Sequence, residues 1–257
     1  MKLGISYMVF DGEELLKFAT KSIRDVVDFI SVTYQPISYF GNKSNESFLD
    51  DLYGLQKIGL IDEIIFYDND LSLHHKTNEL NLRNLGLECS KKAGCTHHIS
   101  ADVDELYKSD ELVIAKNIIE DNDYDFSMAP YITYYKEPTY QIHPRPEYNV
   151  SFIHKINNEY EINKTFIFPI EITRRLKNNR KYIVFDKNTF AMHHMSYIRR
   201  DIRKKIENSD NGRFFKIDDF VDKFNKYKLG ERLCIPPDFL NRKTIEVPNY
   251  FNITIKE

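Results

Sequence analysis

The stretch His97-His98-Ile99-Ser100-Ala101-Asp102-Val103-Asp104-Glu105 decides the fold. Its first five residues read as a buried strand, and the strand runs directly into Asp102, Asp104 and Glu105. Before it, Leu82, Leu85, Cys89 and Ala93 form one apolar stripe, which predicts a helix over about 76–93 stopped by Gly94. The same alternation extends back to the N-terminus. Residues 63–67 read as a strand ended by Asp68-Asn69-Asp70, 46–58 as a helix, and 29–34 as a strand ended by Gln35-Pro36. Leu3 to Phe10 is the first strand. Asp11 follows as a helix N-cap, with Glu14 at capping-box spacing and Leu15, Ala19 and Ile23 on one helix face. Strands alternating with helices imply an α/β fold with a largely parallel, doubly wound sheet. Such sheets bind ligands beyond the carboxyl ends of their strands, where Asp11, Gln35, Asp68 and Asp102 all fall.

The second half is less regular. Residues 125–135 and 151–156 read as strands. Pro138, Pro144 and Pro146 make 136–149 an irregular loop. Residues 181–193 read as a hairpin leading to His193-His194, a basic helix follows at about 197–207, and from about 213 a helix and an extended tail close over the domain.

Composition narrows the function. The 257 residues suit one substantial domain, and 42% hydrophobic residues are enough for a packed core. A net charge of −3 lacks the basic excess of a nucleic-acid binder, so no nucleic-acid partner is expected. No stretch is long and apolar enough for a membrane span. The N-terminus, with acidic residues directly after Phe10, does not read as a signal peptide. Three cysteines, Cys89, Cys95 and Cys234, argue against a disulfide framework and for a reducing, cytoplasmic setting.

Asp102 and Asp104 are two residues apart, so in an extended segment their carboxylates would face one cation. A hard divalent ion, Mn²⁺ or Mg²⁺, prefers such oxygen ligands and leaves positions for phosphate oxygens. It would offset the charge that develops on a departing nucleoside diphosphate. Asp68-Asn69-Asp70, Asp121-Asn122-Asp123 and Asp123-Tyr124-Asp125 share the spacing. Position at the end of a buried strand separates Asp102-Val103-Asp104 from them.

Three separated blocks carry a family resemblance. They are Gly4 to Glu14, the run Asn78-Glu79 through Arg83-Asn84 and Gly86 to Asp102-Val103-Asp104-Glu105, and Met192-His193-His194-Met195-Ser196-Tyr197-Ile198-Arg199. Their order resembles the family 2-type glycosyltransferases of GT-A fold, including members from bacterial surface-polysaccharide loci and large DNA viruses. The resemblance implies a single Rossmann-like GT-A domain over 1–210, with a mostly parallel central sheet flanked by helices. Its nucleotide-binding half would be about 1–105 and its acceptor half about 106–210, with a helical and extended extension, 211–257, packed on the same domain. It implies metal-dependent transfer of a sugar from a nucleoside-diphosphate-sugar, UDP-sugar favoured and GDP-sugar second, to a hydroxyl of a glycan or glycoconjugate acceptor. The setting would be the cytoplasm, or a host's cytoplasm for a viral chain.

Roles follow from the resemblance. Asp104 would be the direct, catalytic metal ligand, and Asp102 would contact the ribose, or the metal through water. His194 would be the third ligand, with His193 the alternative; neighbours in a strand face opposite ways, so one of the two is a packed strand residue. Arg199 would bind phosphate, as an Arg fork matches phosphate oxygens, with Lys204 and Lys205 on the same predicted helix. Tyr7 or Phe10 would stack on the base, and Gln35 or Asp68 would read its edge. Arg83 would reach the diphosphate or sugar, or pair with Glu79 at i, i+4 spacing. A motif for a catalytic base is missing. Glu171 and Asp186 are the candidates, and Thr173-Arg174-Arg175 after Glu171 could instead contact phosphate or acceptor.

Rival readings start from the same residues. A zinc site from Cys89, Cys95, His97 and His98 fits no usual spacing. A sugar nucleotidyltransferase would need a glycine-rich phosphate loop where this chain has Val9-Phe10-Asp11-Gly12-Glu13. A non-catalytic carbohydrate-binding protein on the same frame, and a metal-dependent nuclease, are the others.

Overall fold

Strands β1 (Leu3–Val9), β2 (Phe29–Tyr34), β3 (Glu63–Phe66) and β4 (His97–Asp102) form a parallel block in the order β3-β2-β1-β4. The connections are α1 (Glu13–Ile23), α2 (Phe48–Lys57) and α3 (His75–Lys92). The structure, a computed structural model, describes residues 1–157, 159–162, 170–177, 181–210, 212–233 and 241–255. All seven elements lie where the alternation of apolar residues predicts them.

Side-chain size explains how the layers meet. Leu3, Ile5, Tyr7 and Val9 of β1, Ile30 and Val32 of β2, and Ile99 and Ala101 of β4 belong to the main core with Leu15, Leu16, Ala19 and Ile23 of α1. The alternate residues, Gly4 and Ser6, face α3, which packs across β1, β2 and β4. Small residues let that helix lie close. A Cβ on Gly86 would stand 2.2 Å from Ser6 Oγ, and one on Gly4 would stand 2.4 Å from Ser90 Oγ. Gly86→Ala is therefore expected to cost about 3 kcal/mol of stability, as overpacking does where backbone cannot yield. A shift in the urea midpoint reads it, and an unchanged midpoint would contradict the close approach.

Downstream come β5 (Glu105–Leu106), α4 (Ser109–Asn122), β6 (Phe126–Tyr135), β7 (Glu137–His143), β8 (Asn149–Lys155), β9 (Tyr182–Val184), β10 (Met192–Tyr197), α5 (Ile202–Glu207), α6 (Ile217–Lys226) and β11 (Lys243–Glu246). The sheet continues from β4 through β8, β6, β7 and β11, with each of these neighbours antiparallel. The result is the expected α/β architecture, a central sheet with its parallel block flanked by helices. The extension after 210 joins the same body. Phe220 and Phe224 of α6 pack with Tyr135, Ile202 and Ile206, and β11 pairs with β7. No described helix is long and apolar enough to cross a membrane.

Four local expectations need correction. Part of the proline-containing loop is β7; Pro138 sits at the start of that strand, where a missing N–H is tolerated. Residues 181–193 are no hairpin, because β9 and β10 each pair in parallel with β6. The basic helix begins at Ile202, where Asp201 caps it by accepting from the Lys204 N–H at 3.0 Å. Asp11 does not cap α1: the N-cap is Gly12, at φ 85°. A side chain there would be strained and would meet the Arg199 guanidinium at 2.9 Å, so glycine is required.

Candidate active site

A cleft of about 250 Å³ opens at the carboxyl ends of β1, β2 and β4. Among the described residues, Asp11, Glu79, Asp102, Asp104, Glu171 and Asp210 line it together with Lys76, Arg199 and Lys205, and Arg83 and Arg174 pair with Asp102 and Glu171 from behind the wall. Phe10, Gln35 and Tyr39 complete much of the wall.

The two aspartates of the 102–104 pair take different partners. Strand β4 ends at Asp102 and residues 103–104 turn, so the carboxylates do not share a face as an extended segment would have them. Asp102 accepts from Arg83 at 3.2 Å and pairs with Arg174 at 2.9 Å. Asp104 is 2% exposed and is held by Arg199 and by Lys205 Nζ at 3.1 Å. Burial alone would raise its pKa, but Lys205, Arg199 and His194 outweigh burial and hold it well below the usual carboxylate range. His194 Nε2 lies 3.7 Å from Asp104. His193 points the other way, buried, with Nδ1 2.7 Å from the Tyr134 hydroxyl. Strand alternation thus turns His194, not His193, toward Asp104.

Arg83 shows why the α3 face of the sheet matters. Ser100 and Asp102 lie on that face of β4, two residues apart, and the fully buried guanidinium meets both. It also donates to Glu79 at 2.8 Å and Glu171 at 3.1 Å. Its pairing with Glu79 is therefore a buried network rather than a surface bridge. Arg174 grips Glu105 with both terminal nitrogens, at 2.6 and 2.9 Å. Lys76 completes the floor at 2.7 Å from both Glu79 and Glu171 and 2.6 Å from Asp210. Burial would lower its pKa, but the Glu171 and Glu79 carboxylates raise it well above the ordinary lysine value. Burial and the adjoining Glu171 carboxylate push Glu79 up. Glu171 itself, despite burial, is held down by Arg83 and Lys76.

Two buried oxygens of the cleft, Gln35 Oε1 and Asp11 Oδ2, make no hydrogen bond, and Asp11 Oδ2 has only Arg199 Nε at 4.0 Å. Gln35 is 3% exposed, and its side chain lines the cleft.

Of the predicted residues, Arg83 sits buried behind the cleft wall and His194 faces a neighbouring cavity, and three more lie elsewhere. Tyr7 is fully buried in the main core, because odd positions of β1 face away from α3. Asp68 is exposed and lines no described cavity, since β3 ends two residues earlier at the sheet edge. Asp186 is exposed and accepts from the Asn188 N–H in a turn, well placed to hold that turn and not to take a proton in the cleft. The sequence reading missed Tyr39, Lys76, Asn208 and Asp210, all of which line the cleft. They carry no motif, and only the fold gathers them.

The zinc reading finds no support. Cys89 and Cys95 are buried free thiols, His98 Nδ1 is 2.8 Å from Ser90 Oγ, and Cys234 lies outside the described residues. Among the described residues, no three His, Cys, Asp or Glu side chains group as a metal ion would need. The same holds for Asp102, Asp104 and His194, the expected metal ligands: the two carboxylates turn to different guanidinium groups and form no ready-made ligand set, so an ion held there would take most of its ligands from phosphate and water.

No protein-family model matches the sequence, and no curated protein matches it. Compared by structure, the chain is similar to solved structures of S. aureus TarS. The crystal structure of its residues 1–349 is 11% identical, with a TM-score of 0.45, over 82% of this chain and 66% of that one. The longer TarS structure gives 11% identity and a TM-score of 0.48 over 82% of this chain and 40% of that one. The 1–349 form in complex with UDP gives 11% identity and a TM-score of 0.47 over 89% and 73%. This chain thus spans less than two thirds of the first two.

Proposed function

We propose that this chain is a glycosyltransferase that uses a divalent cation, Mn²⁺ or Mg²⁺, to take a sugar from a nucleoside-diphosphate-sugar, a UDP-sugar by preference, and pass it to a hydroxyl of a glycan or glycoconjugate. The observation that carries this reading is Asp104, a buried carboxylate at the carboxyl end of the parallel block, which faces the cleft and is shared by Arg199 and Lys205. Such a group would hold a cation beside the two basic side chains that would take phosphate. Asp104, with Asp102 or His194, would hold the ion. When bound, it would supply charge stabilisation for the leaving diphosphate. Arg199 and Lys205 stand within reach of the same place and would turn from Asp104 to phosphate oxygens.

The buried amide of Gln35 supports a nucleotide donor. It offers one acceptor and one donor side by side, which complements any base edge that sets a donor beside an acceptor. Phe10, on the same wall, offers a ring face to a base.

Thermal-shift measurement against UDP, GDP, CMP and TDP, with and without Mn²⁺, tests the reading. UDP with Mn²⁺ at about a hundred times its Kd should raise Tm by roughly 5 °C or more, and chelation should remove most of the rise. No shift with any nucleotide in either condition would overturn it.

A further inference from the structure

A second cavity, of about 210 Å³, shares Asp102 and Glu171 with the nucleotide cleft. Its other walls carry Tyr131, Tyr148, Arg174 and His194. The two tyrosines are matched by the sheet. Pro130 of β6 pairs with Asn149 of β8, which sets Tyr131 opposite Tyr148 across the antiparallel strands. Their rings are 10° from parallel with centroids 6.2 Å apart, and His194 meets Tyr131 edge-on at 5.7 Å. Tyr148 is 39% exposed, so its ring is offered to solvent rather than spent on the core.

The cavity is two-sided. One wall is aromatic and the other is carboxylate and guanidinium, from Asp102, Glu171 and Arg174. An acyl chain would strip water from those charges without replacing its hydrogen bonds, which is costly. A sugar ring would not. Its C–H face is apolar, and its rim of hydroxyls both donates and accepts. The volume suits a single ring.

We propose that this cavity is the acceptor subsite and that it takes a pyranose ring. The ring stacks on the exposed Tyr148, which Tyr131 backs, with its hydroxyls turned to Asp102 and Glu171, where the two cavities meet. A hydroxyl at that shared wall stands beside the donor sugar. That the bound sugar is an acceptor rests on the proposed glycosyl transfer; that a sugar binds there does not.

Saturation-transfer NMR of the full chain with the methyl glycosides of glucose, galactose, mannose and N-acetylglucosamine tests this. At least one should receive saturation at its ring C–H protons. Tyr148→Ala should weaken its binding about two- to tenfold, the range an aromatic contact supplies, and Tyr148→Phe should retain it. The thermal shift with UDP and Mn²⁺ should be the same in both variants as in the unsubstituted chain. No saturation of any glycoside, or equal saturation in Tyr148→Ala, overturns the subsite. Sugar binding that depends on Tyr148 in a chain that ignores every nucleotide would leave this subsite standing and overturn the donor reading instead.

Discussion

Asp104→Asn is expected to lower sugar transfer by about a thousandfold or more, the several kcal/mol that a bound metal contributes to a transition state. Asparagine keeps the size of the side chain and removes its charge, so the change is chemical rather than steric. It also acts on the fold. Arg199 and Lys205 both rest on this carboxylate, and Arg199 is buried. Leaving a buried guanidinium short of its counter-charge costs about 3 kcal/mol or more. The loss is not total, since Arg199 still donates to the Met195 and Ile198 carbonyls at 3.2 and 3.1 Å. The pH dependence has a definite sign. A carboxylate with a depressed pKa stabilises the native state above its unfolded value, about 4, and ceases to do so as pH falls below it. The stability gap between the unsubstituted chain and Asp104→Asn should therefore hold from pH 8 to about 4 and close below. Transfer at the original rate would overturn the metal role of Asp104, and a gap insensitive to acid would overturn its ion pairing.

Arg83→Leu is expected to cost about 3 to 5 kcal/mol, because it leaves buried charges without their partner. Arg83 donates to Glu79, Asp102 and Glu171 at 2.8, 3.2 and 3.1 Å. Without it these carboxylates repel one another, and Lys76 and Arg174 neutralise only part of the cluster. Their folded pKa values would then rise above the unfolded ones. The native state would bind more protons than the unfolded chain, so the variant should gain stability relative to the unsubstituted chain as pH falls from 8 to 5. Urea unfolding at both pH values reads this. A deficit that stays constant across that interval would mean that Arg83 packs rather than pairs. Transfer should fall as well, since Asp102 would lose one of the two guanidinium groups that orient it.

The first half of the fold was legible because each element carries its own period. Leu3, Ile5, Tyr7 and Val9 alternate, and Leu82 and Cys89 recur at helical spacing. The second half was not, because the information lies in pairing. Nothing local in 181–197 says that both of its strands lie parallel to β6 rather than against each other. Pro138 reads as a breaker until β7 is seen to begin beside it. The site divides in the same way. Asp102, Asp104, Gln35 and Arg83 stand at strand ends or one helix face, which periodicity exposes. Lys76 and Asp210 meet at 2.6 Å across 134 positions of chain, and no spacing rule reaches that far. Asp68 and Asp186 show the opposite error, since acidic residues at strand ends and turns also serve only to shape the chain.

The close bed of α3 on Gly4 and Ser6 acts as an index mark. A helix lying on larger, more pliable side chains has several nearly equivalent seats. This one has a slot, because Gly86 fits over Ser6 and its neighbours in the helix do not. A slip of one residue would carry Arg83 about 1.5 Å along the axis and swing it some 100° around it, away from Ser100 and Asp102. The tolerance to which Asp102 is aimed is thus set three residues along the helix from Arg83, by an atom that is not there.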